Sequence, residues 1–573
     1  MGRATLRDFD VIILGSGLGG STTACALAKK GWNVLLLDSS SHPRFAIGEA
    51  TTPDISFLMK IVAARFDIPE LNNLTTFHLL RDKVSSACGI KKSFSFLYHR
   101  DEEKQNPEES HQFSTLAPPF GPDCHLFRQD TDAYMVETAV KYGVELKQNT
   151  KINDFELRDD GVTIRSETGE SFTGRFLIDA TGFRSPIAGK LGLRETPTRL
   201  KTKSRALFTH LVGVELYDDV CPELSEFGLP YPLAKGTLHH VFEGGWMWVI
   251  PFNNHPEHTN SLCSVGILFD SERYPKTDME PQEEFEQFIS RFPDVAEQFK
   301  NAKPFRPWTS TDRIQYSSTD IVGDRFCMLS HAGGFIDPLF STGLNLTMSV
   351  ICDLIPRLDD MLREDNFSRD ELAPINDNFQ RNLDYCDRMV ANAFQSFQDF
   401  DLWDAWFRVW VAGNFAGTAF NGTLYLQYND TNDQAWLERR NEWPFTGVLG
   451  SGFDPNRELF EAADGFMQEY SAGNITAGAA ADSIRALFAD ATYLPKYFNW
   501  QNKAVRATTT FTLPQFTRMY LWYAFFAPKE VREKIFNFTM TGVLRYTWNS
   551  LREDRSRTKS RKKFFWDTFF ARK

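Results

Sequence analysis

A six-residue apolar run that ends in a glycine cluster constrains this chain more than any other feature. Residues 9–14 (Phe-Asp-Val-Ile-Ile-Leu) read as a buried parallel strand, short, β-branched and closed by Gly15. Gly15-Ser-Gly17-Leu-Gly-Gly20 follows, then an Ala-rich helix from Ser21 to Lys30 that Gly31 stops, then a second strand from Asn33 to Leu37 with Asp38 at its end. This is a βαβ unit with a GxGxxG turn in its proper place. Gly15 permits the tight bend, Gly17 lets a pyrophosphate approach the backbone, and Gly20 lets helix and strand pack closely. The helix N-terminus favours the anionic phosphates. Asp38, 18 residues beyond Gly20, suits a ribose diol. The unit predicts dinucleotide binding without separating NAD from FAD.

Composition removes other classes. The 573 residues carry 63 Lys and Arg against 75 Asp and Glu, a net charge of −12, which disfavours general nucleic-acid binding. The eight cysteines form no CxxC pair, so neither a structural zinc site nor a redox dithiol is indicated, and no metal is expected. They read as reduced, buried thiols of a cytoplasmic protein. No leader and no membrane span is expected. The stretch from Val409 to Tyr425 comes nearest to one, but Asn414, Asn421 and three Gly interrupt it. HExxH and GxxxxGK[ST] are both absent. Aromatic residues reach 14%, with 51 Phe, implying large cores or an aromatic-lined cavity.

Residues 151–179 look like antiparallel strands with a hairpin at Asp159-Asp160-Gly161. Strands are expected at Arg205–Leu216, Thr237–Phe242, Trp246–Pro251 and Leu262–Phe269, a mixed sheet able to wall a cavity. Residues 321–329 read as another strand and Gly343–Leu362 as a helix. Beyond about 365 the chain reads as helical and aromatic, which places a domain boundary between 1–365 and 366–573. From Arg552 to Lys573, nine Lys or Arg and five aromatic rings face three acidic residues. Such a tail reads first as a terminal helix packing its rings on its own domain, with an anionic membrane surface or an acidic partner as the alternative contact.

Further segments separate NAD from FAD. These are Ser41-His-Pro-Arg44-Phe-Ala-Ile-Gly48-Glu49, Arg128-Gln-Asp-Thr-Asp132, Ile178-Asp179-Ala-Thr-Gly182, Val322-Gly323-Asp324-Arg325 and Gly334-Phe-Ile-Asp337-Pro338-Leu-Phe-Ser341-Thr342-Gly343. In order and spacing across residues 9–350 they resemble the FAD-binding layout of the class A flavin monooxygenase superfamily. The resemblance implies an α/β FAD-binding fold, a Rossmann βαβ unit plus a mixed substrate-domain sheet, followed by a mostly helical C-terminal domain. FAD would lie extended, with its ring system near 337–343. Arg44, Arg128, Asp179, Gly182, Asp324, Asp337 and Pro338 join the glycines and Asp38 as its expected contacts. Where the superfamily has Gly-Asp-Ala, this chain has Ser330-His331-Ala332; His331 either bonds a ribityl hydroxyl in place of the Asp or is a neutral packed imidazole.

Gly244-Gly245-Trp246-Met-Trp248-Val-Ile250-Pro251 matches the WxWxIP signature of flavin-dependent halogenases. Taken alone, two Trp at i and i+2 share one strand face and read as core. Gly89-Ile-Lys91-Lys92-Ser-Phe94-Ser-Phe96-Leu-Tyr98-His99 looks like the lysine-bearing strand of the halogenases of the chlortetracycline and pyrrolnitrin pathways, and Thr237-Leu-His-His240 resembles a further motif of the same enzymes. The resemblance makes Lys91 the catalytic candidate, with Lys92 on the opposite strand face; from the residues alone, both read as solvated lysines. Glu49 is a second catalytic candidate, or a carboxylate capping the helix that begins at Pro53.

The resemblance implies that reduced FAD and O2 convert chloride or bromide, held at the backbone N–H groups of Thr342 and Gly343, into hypohalous acid. The two indoles would keep substrate from the flavin. Lys91 would hydrogen-bond the oxidant or form a chloramine, and an electron-rich phenol or pyrrole, free or held on a peptide or carrier protein, would be halogenated. No second nucleotide site is evident, so a separate flavin reductase is the expected partner. An FAD-dependent aromatic hydroxylase on the same scaffold, or a flavin-free binding protein, would lack the requirement for the lysine.

Overall fold

The computed structural model describes residues 8–442, 447–509 and 513–555. The expected tail from 552 falls largely outside them, since only its first four residues are described, as the end of a helix.

Strand Phe9–Leu14 lies parallel between Val34–Leu37 and Ser171–Asp179, with Leu14 level with both Leu37 and Asp179. Residues 11–14 and 34–37 are buried, as parallel strands covered on both faces require. Glu145–Lys147 extends this sheet on one side. Phe326–Met328 and Val322–Gly323 extend it on the other, and the hairpin Ile152–Arg158/Gly161–Ser166 hangs from Ser171–Asp179. The expected single strand over 321–329 is instead two short antiparallel strands. The chain reverses at Asp324-Arg325, with Arg325 in the left-handed region at φ 64°. Gly323 allows that reversal, because a Cβ there would lie 2.1 Å from the Phe326 ring.

A second, nine-stranded sheet stands apart. Its order is Lys303–Pro304, Ser204–Val212, Cys263–Asp270, Gly245–Pro251, Thr237–Phe242, Ser93–Tyr98, Ser110–Ser114 and Ala507–Thr508, with Thr309–Arg313 also paired to Ser204–Val212. The expected strand from Arg205 stops at Val212 because Gly213 turns the chain at φ 73°. Gly89–Lys91 and Asp123–His125 form a separate two-stranded ladder.

Helix Phe400–Thr431 includes the apolar stretch 409–425 and is buried along most of its length. A helix apolar all round belongs inside a core, and its Asn421 donates to Asp54 of helix Pro53–Arg65 at 2.7 Å. Among the described residues no helix is long and apolar enough to cross a membrane. All eight cysteines are buried and free. One hydrophobic cluster runs from Phe9 through helix Thr342–Glu364 to the helices beyond 369. Within it, Ala507–Thr508 returns to pair with Gln112–Phe113 of the large sheet.

Candidate functional site

The glycine turn is as tight as its residues imply. Gly15 has φ 92°, and a Cβ there would lie 2.6 Å from Ala180 O; one on Gly20 would lie 1.9 Å from Gly15 O. Helix Leu18–Lys29 opens on Gly17 with no side-chain cap and no acid in its first turn. Asp38 Oδ2 accepts from Ser16 N at 2.8 Å and Arg44 at 2.9 Å, and Oδ1 accepts from Ser40 N at 2.9 Å. Burial pushes this carboxyl up, but the Ser16 and Ser40 hydrogen bonds and the Arg44 charge outweigh it and hold it below the ordinary carboxylate range. His42 Nδ1 and Arg44 Nε beside it are buried with no hydrogen-bond partner among the described residues.

Helix Thr342–Glu364 presents a second uncapped start. Ser341 precedes it at φ 54°, and its first turn holds no acid. His331 is pressed onto this turn: a Cβ on Gly343 would lie 2.7 Å from His331 Nε2. Burial and then Arg128 pull that imidazole down to about 4, so it is neutral. Its Nδ1 stands 3.3 Å from Thr347 Oγ1.

Strand Gly245–Pro251 faces the same loop. Trp246 Nε1 donates to Asp337 Oδ1 at 3.2 Å, and Asp337 also accepts from Leu339 N at 3.0 Å and Ser204 Oγ at 2.6 Å. Burial raises the Asp337 carboxyl to about 7. Trp248 donates to Ser264 Oγ at 3.1 Å, with its ring 5.9 Å from that of Trp246. Ile250 is core, and Pro251 O accepts from His125 Nδ1 at 3.0 Å.

Lys91 is fully buried. Its Nζ donates to Thr51 O at 2.8 Å and lies 3.4 Å from the centre of the Phe94 ring. Burial draws it down to about 7, against the opposing pull of Asp123. The rings of Phe94, Trp410 and Phe340 lie 5.3 and 5.2 Å apart in turn, the first pair edge to face and the second stacked, so a line of aromatics connects Lys91 to the 337–343 loop. Lys92 turns to the other face, over Tyr231. Beside Lys91, burial and its charge push His125 and His239 down to about 3. Next to Thr115, whose hydroxyl donates to Lys91 O at 2.8 Å, an apolar pocket opens, lined by Phe57, Leu116, Phe120, Ala419, Met519 and Phe538.

Glu49 is buried and does not cap a helix. Thr52 does so, accepting from Ile55 N, while Glu49 Oε1 sits 3.0 Å from His210 Nε2. Thus residues 49–52 hold His210, Lys91 and a helix start in succession. One further expectation is corrected in position, that for Asp324; Arg128 and Asp179 stay beside the glycine turn and the His331 segment, held by bonds of their own. Asp324 is exposed and accepts from Arg369 N at 2.7 Å; it lies in the turn before Phe326, at the opposite end of the parallel strands from the Gly15 turn. Arg128 spends its guanidinium on Asp132 and on the Ile47 and Gly48 carbonyls. Asp179 is consumed by its own turn, which contains Gly182 at φ 74°, accepting from Thr181 N, Ser185 Oγ and Ile187 N.

Sequence reasoning missed Asp123, Lys60, His210 and Trp410. For Lys60 a signal existed: it is the lone charge in Ile55–Ala63, a helix stretch buried throughout.

The residues present fit an FAD. Two uncapped helix starts suit anionic groups, and the orphaned nitrogens at His42 and Arg44 suit polar groups at the adenosine end.

Comparison with known proteins agrees. Residues 73–409 match the tryptophan halogenase family, and residues 13–71 match the NAD(P)-binding Rossmann-like domain. The chain is 40% identical over 531 residues to the monodechloroaminopyrrolnitrin halogenase PrnC of Pseudomonas fluorescens, covering 92% of this chain and 93% of that protein. It is 43% identical over 476 residues to the tetracycline 7-halogenase of Kitasatospora aureofaciens, covering 83% and 85%. The crystal structure of halogenase PltM in complex with phloroglucinol and FAD superposes with a TM-score of 0.83 at 37% identity, over 88% of this chain and 100% of that one. A tight GxGxxG turn, an indole pair on the strand facing the 337–343 loop and a buried lysine are thus joined to relatives that span nearly the whole chain, and the chain belongs to the tryptophan halogenase family of flavin-dependent enzymes.

Proposed function

We propose that this enzyme chlorinates or brominates an electron-rich phenol or pyrrole, with Lys91 carrying the oxidant to the ring. Reduced FAD, when bound, supplies with O2 the oxidising equivalents that convert a halide into hypohalous acid. The glycine turn and Asp38 would hold its adenosine half, and His331, Asp337, Pro338 and the first turn of helix Thr342–Glu364 its other half. The backbone N–H groups of Thr342 and Gly343 are the donors offered to a halide. Trp246 and Trp248 fill the space between that loop and the sheet, so a ring substrate is kept from the flavin.

Lys91 then acts in one of two ways. As an ammonium, its Nζ–H donates to the oxidant oxygen and makes the halogen more electrophilic. As an amine, Nζ takes the halogen, the halogen–oxygen bond breaks, and the released hydroxide leaves as water with the amine proton. His125 and His239, both neutral, do not compete as acids. The single observation that carries this reading is a fully buried Lys91 at the end of a line of rings from the 337–343 loop.

Substrate class follows from the apolar, aromatic pocket at Leu116, one residue beyond the Thr115 that bonds the Lys91 carbonyl, and from the relatives' names. One acts on tetracycline and one on a pyrrolnitrin precursor, while a solved relative holds phloroglucinol. More distant relatives at 23% and 24% identity act on pyrrole-2-carbonyl groups on a peptidyl-carrier protein, which makes a carrier-bound ring the second substrate form to test. A separate reductase in the cytoplasm would supply the reduced FAD. Residues 1–365 would make the oxidant, and 366–573 would complete the walls around the substrate.

The decisive experiment is Lys91→Ala. Halogenated product falls at least about 100-fold, the scale of a positioned acid–base group, while oxidation of reduced FAD by O2 continues at the parent rate. Unchanged product yield refutes the proposal.

A further inference from the structure

Lys60 and Lys91 are the two buried lysines among the described residues, and the proposed mechanism uses only one of them. Lys60 lies one helical turn beyond Ser56, so the two share a face of helix Pro53–Arg65. Ser56 Oγ donates to Asp123 Oδ1 at 2.7 Å. Asp123 is itself the cross-strand partner of Lys91. One fully buried carboxylate therefore feels the charge of both buried amines, and its Oδ2 has no hydrogen-bond partner among the described residues. Lys60 Nζ donates to Phe120 O at 3.1 Å and faces the Phe57 ring at 5.0 Å and the Tyr546 ring at 5.9 Å. Those contacts favour a cation but leave two of its three N–H groups without a hydrogen bond to the described residues.

We infer that Lys60 is a positioning residue whose ammonium takes Asp123 as its counter-ion and so sets whether Lys91 works as an ammonium or as an amine. The inference rests on the catalytic role proposed for Lys91. One buried carboxylate offsets the desolvation of one buried ammonium; two ammoniums beside it repel each other and share a single anion. The other groups facing Lys91 do not fill the gap. Strand Asp123–His125 adds Cys124, a thiol held up by burial, and His125; strand Thr237–Phe242 adds His239, and both imidazoles are neutral. Segment 49–52 offers only the Thr51 carbonyl. Burial brings Lys60 down to about 8 and Lys91 to about 7, and Asp123 opposes the shift in both, while burial raises Asp123 itself to about 6 against the pull of the two lysines.

The test titrates Lys91 directly in the full chain with 13C-labelled lysines, reading the Cε signal that Lys91→Met removes. Lys60→Met takes a positive charge from the cluster, so the Lys91 midpoint rises by about one pH unit, the scale expected for a near charge. Lys60→Gln keeps a donor for Phe120 O and gives the same rise, while Lys60→Arg restores the parent midpoint. Asp123→Asn lowers it. Parent-like circular dichroism and melting identify the variants that count. A Lys91 midpoint unmoved or lowered in both Lys60→Met and Lys60→Gln overturns the inference. If the midpoints shift as stated but Lys91→Ala still halogenates, the pairing stands and the catalytic role of Lys91 falls.

Discussion

Substituting Gly266 by Ala strikes the indole wall without touching it directly. Gly266 is the cross-strand partner of both Trp248 and Phe208. A Cβ at Gly266 would lie 2.2 Å from Trp248 Cη2 and 2.3 Å from Cζ2. These are atoms of a rigid bicycle, so the ring has to swing away. Its hydrogen bond to Ser264 Oγ, 3.1 Å long, is then lost, at about 1 kcal/mol. Forcing a methyl into a filled core costs roughly 1–3 kcal/mol more. The expected destabilisation is therefore about 2–4 kcal/mol, combining those two terms. It is read as a lower melting midpoint by tryptophan fluorescence and circular dichroism under identical conditions. Trp248→Phe in the Gly266→Ala background should recover at least half of the loss, because the smaller ring clears the new methyl. A Gly266→Ala protein that melts with the parent, or a double variant no better than the single one, would refute the packing argument.

Two predictions concern pH. Asp337 is raised by burial to about 7 from an ordinary 3.8, so the folded state favours its protonated form. That contribution is fully present below about pH 4 and is lost as pH climbs through 7. The melting midpoint of the parent should fall between pH 5 and 8, and that of Asp337→Asn should fall less; equal slopes would count against it. Asp404 behaves in the opposite sense. Burial pushes it up, but Arg408, His111 and Arg506 outweigh that and hold it well below the carboxylate range. Its stabilisation is present at neutral pH and is lost only in strong acid. Asp404→Asn leaves Arg408 and its neighbours uncompensated at a cost of about 3–5 kcal/mol, measured as loss of folded protein at pH 7.

The βαβ unit was legible because its chemistry is local: two strands, the glycine turn, the helix and Asp38 occupy the 30 residues 9–38, and Gly15 and Gly20 meet backbone atoms within that stretch or just beyond the adjoining strand. The indole pair and Lys91 were legible only through resemblance, since two Trp on a strand and two adjacent lysines have ordinary structural readings. Asp324 misled because a Gly-Asp-Arg turn looks the same at either end of a strand, and only the parallel register shows which end it occupies. The partners of Lys91 could not be read at all. Thr51, Phe94, Asp123 and Trp410 come from four elements separated by as many as 359 positions, and no periodicity within any one element records that they meet.

The apolar pocket at Leu116 draws its walls from two distant stretches of chain. Phe57, Leu116 and Phe120 lie early, whereas Ala419, Met519 and Phe538 belong to the last third. The glycine turn, the indole pair and the helix start at Thr342 all precede that last third. If the proposed substrate pocket is this one, acceptor choice and halide oxidation can diverge separately: exchanges at 419, 519 and 538 would reshape the ring's seat while leaving the glycine turn, the indole pair and the Thr342 helix start unaltered.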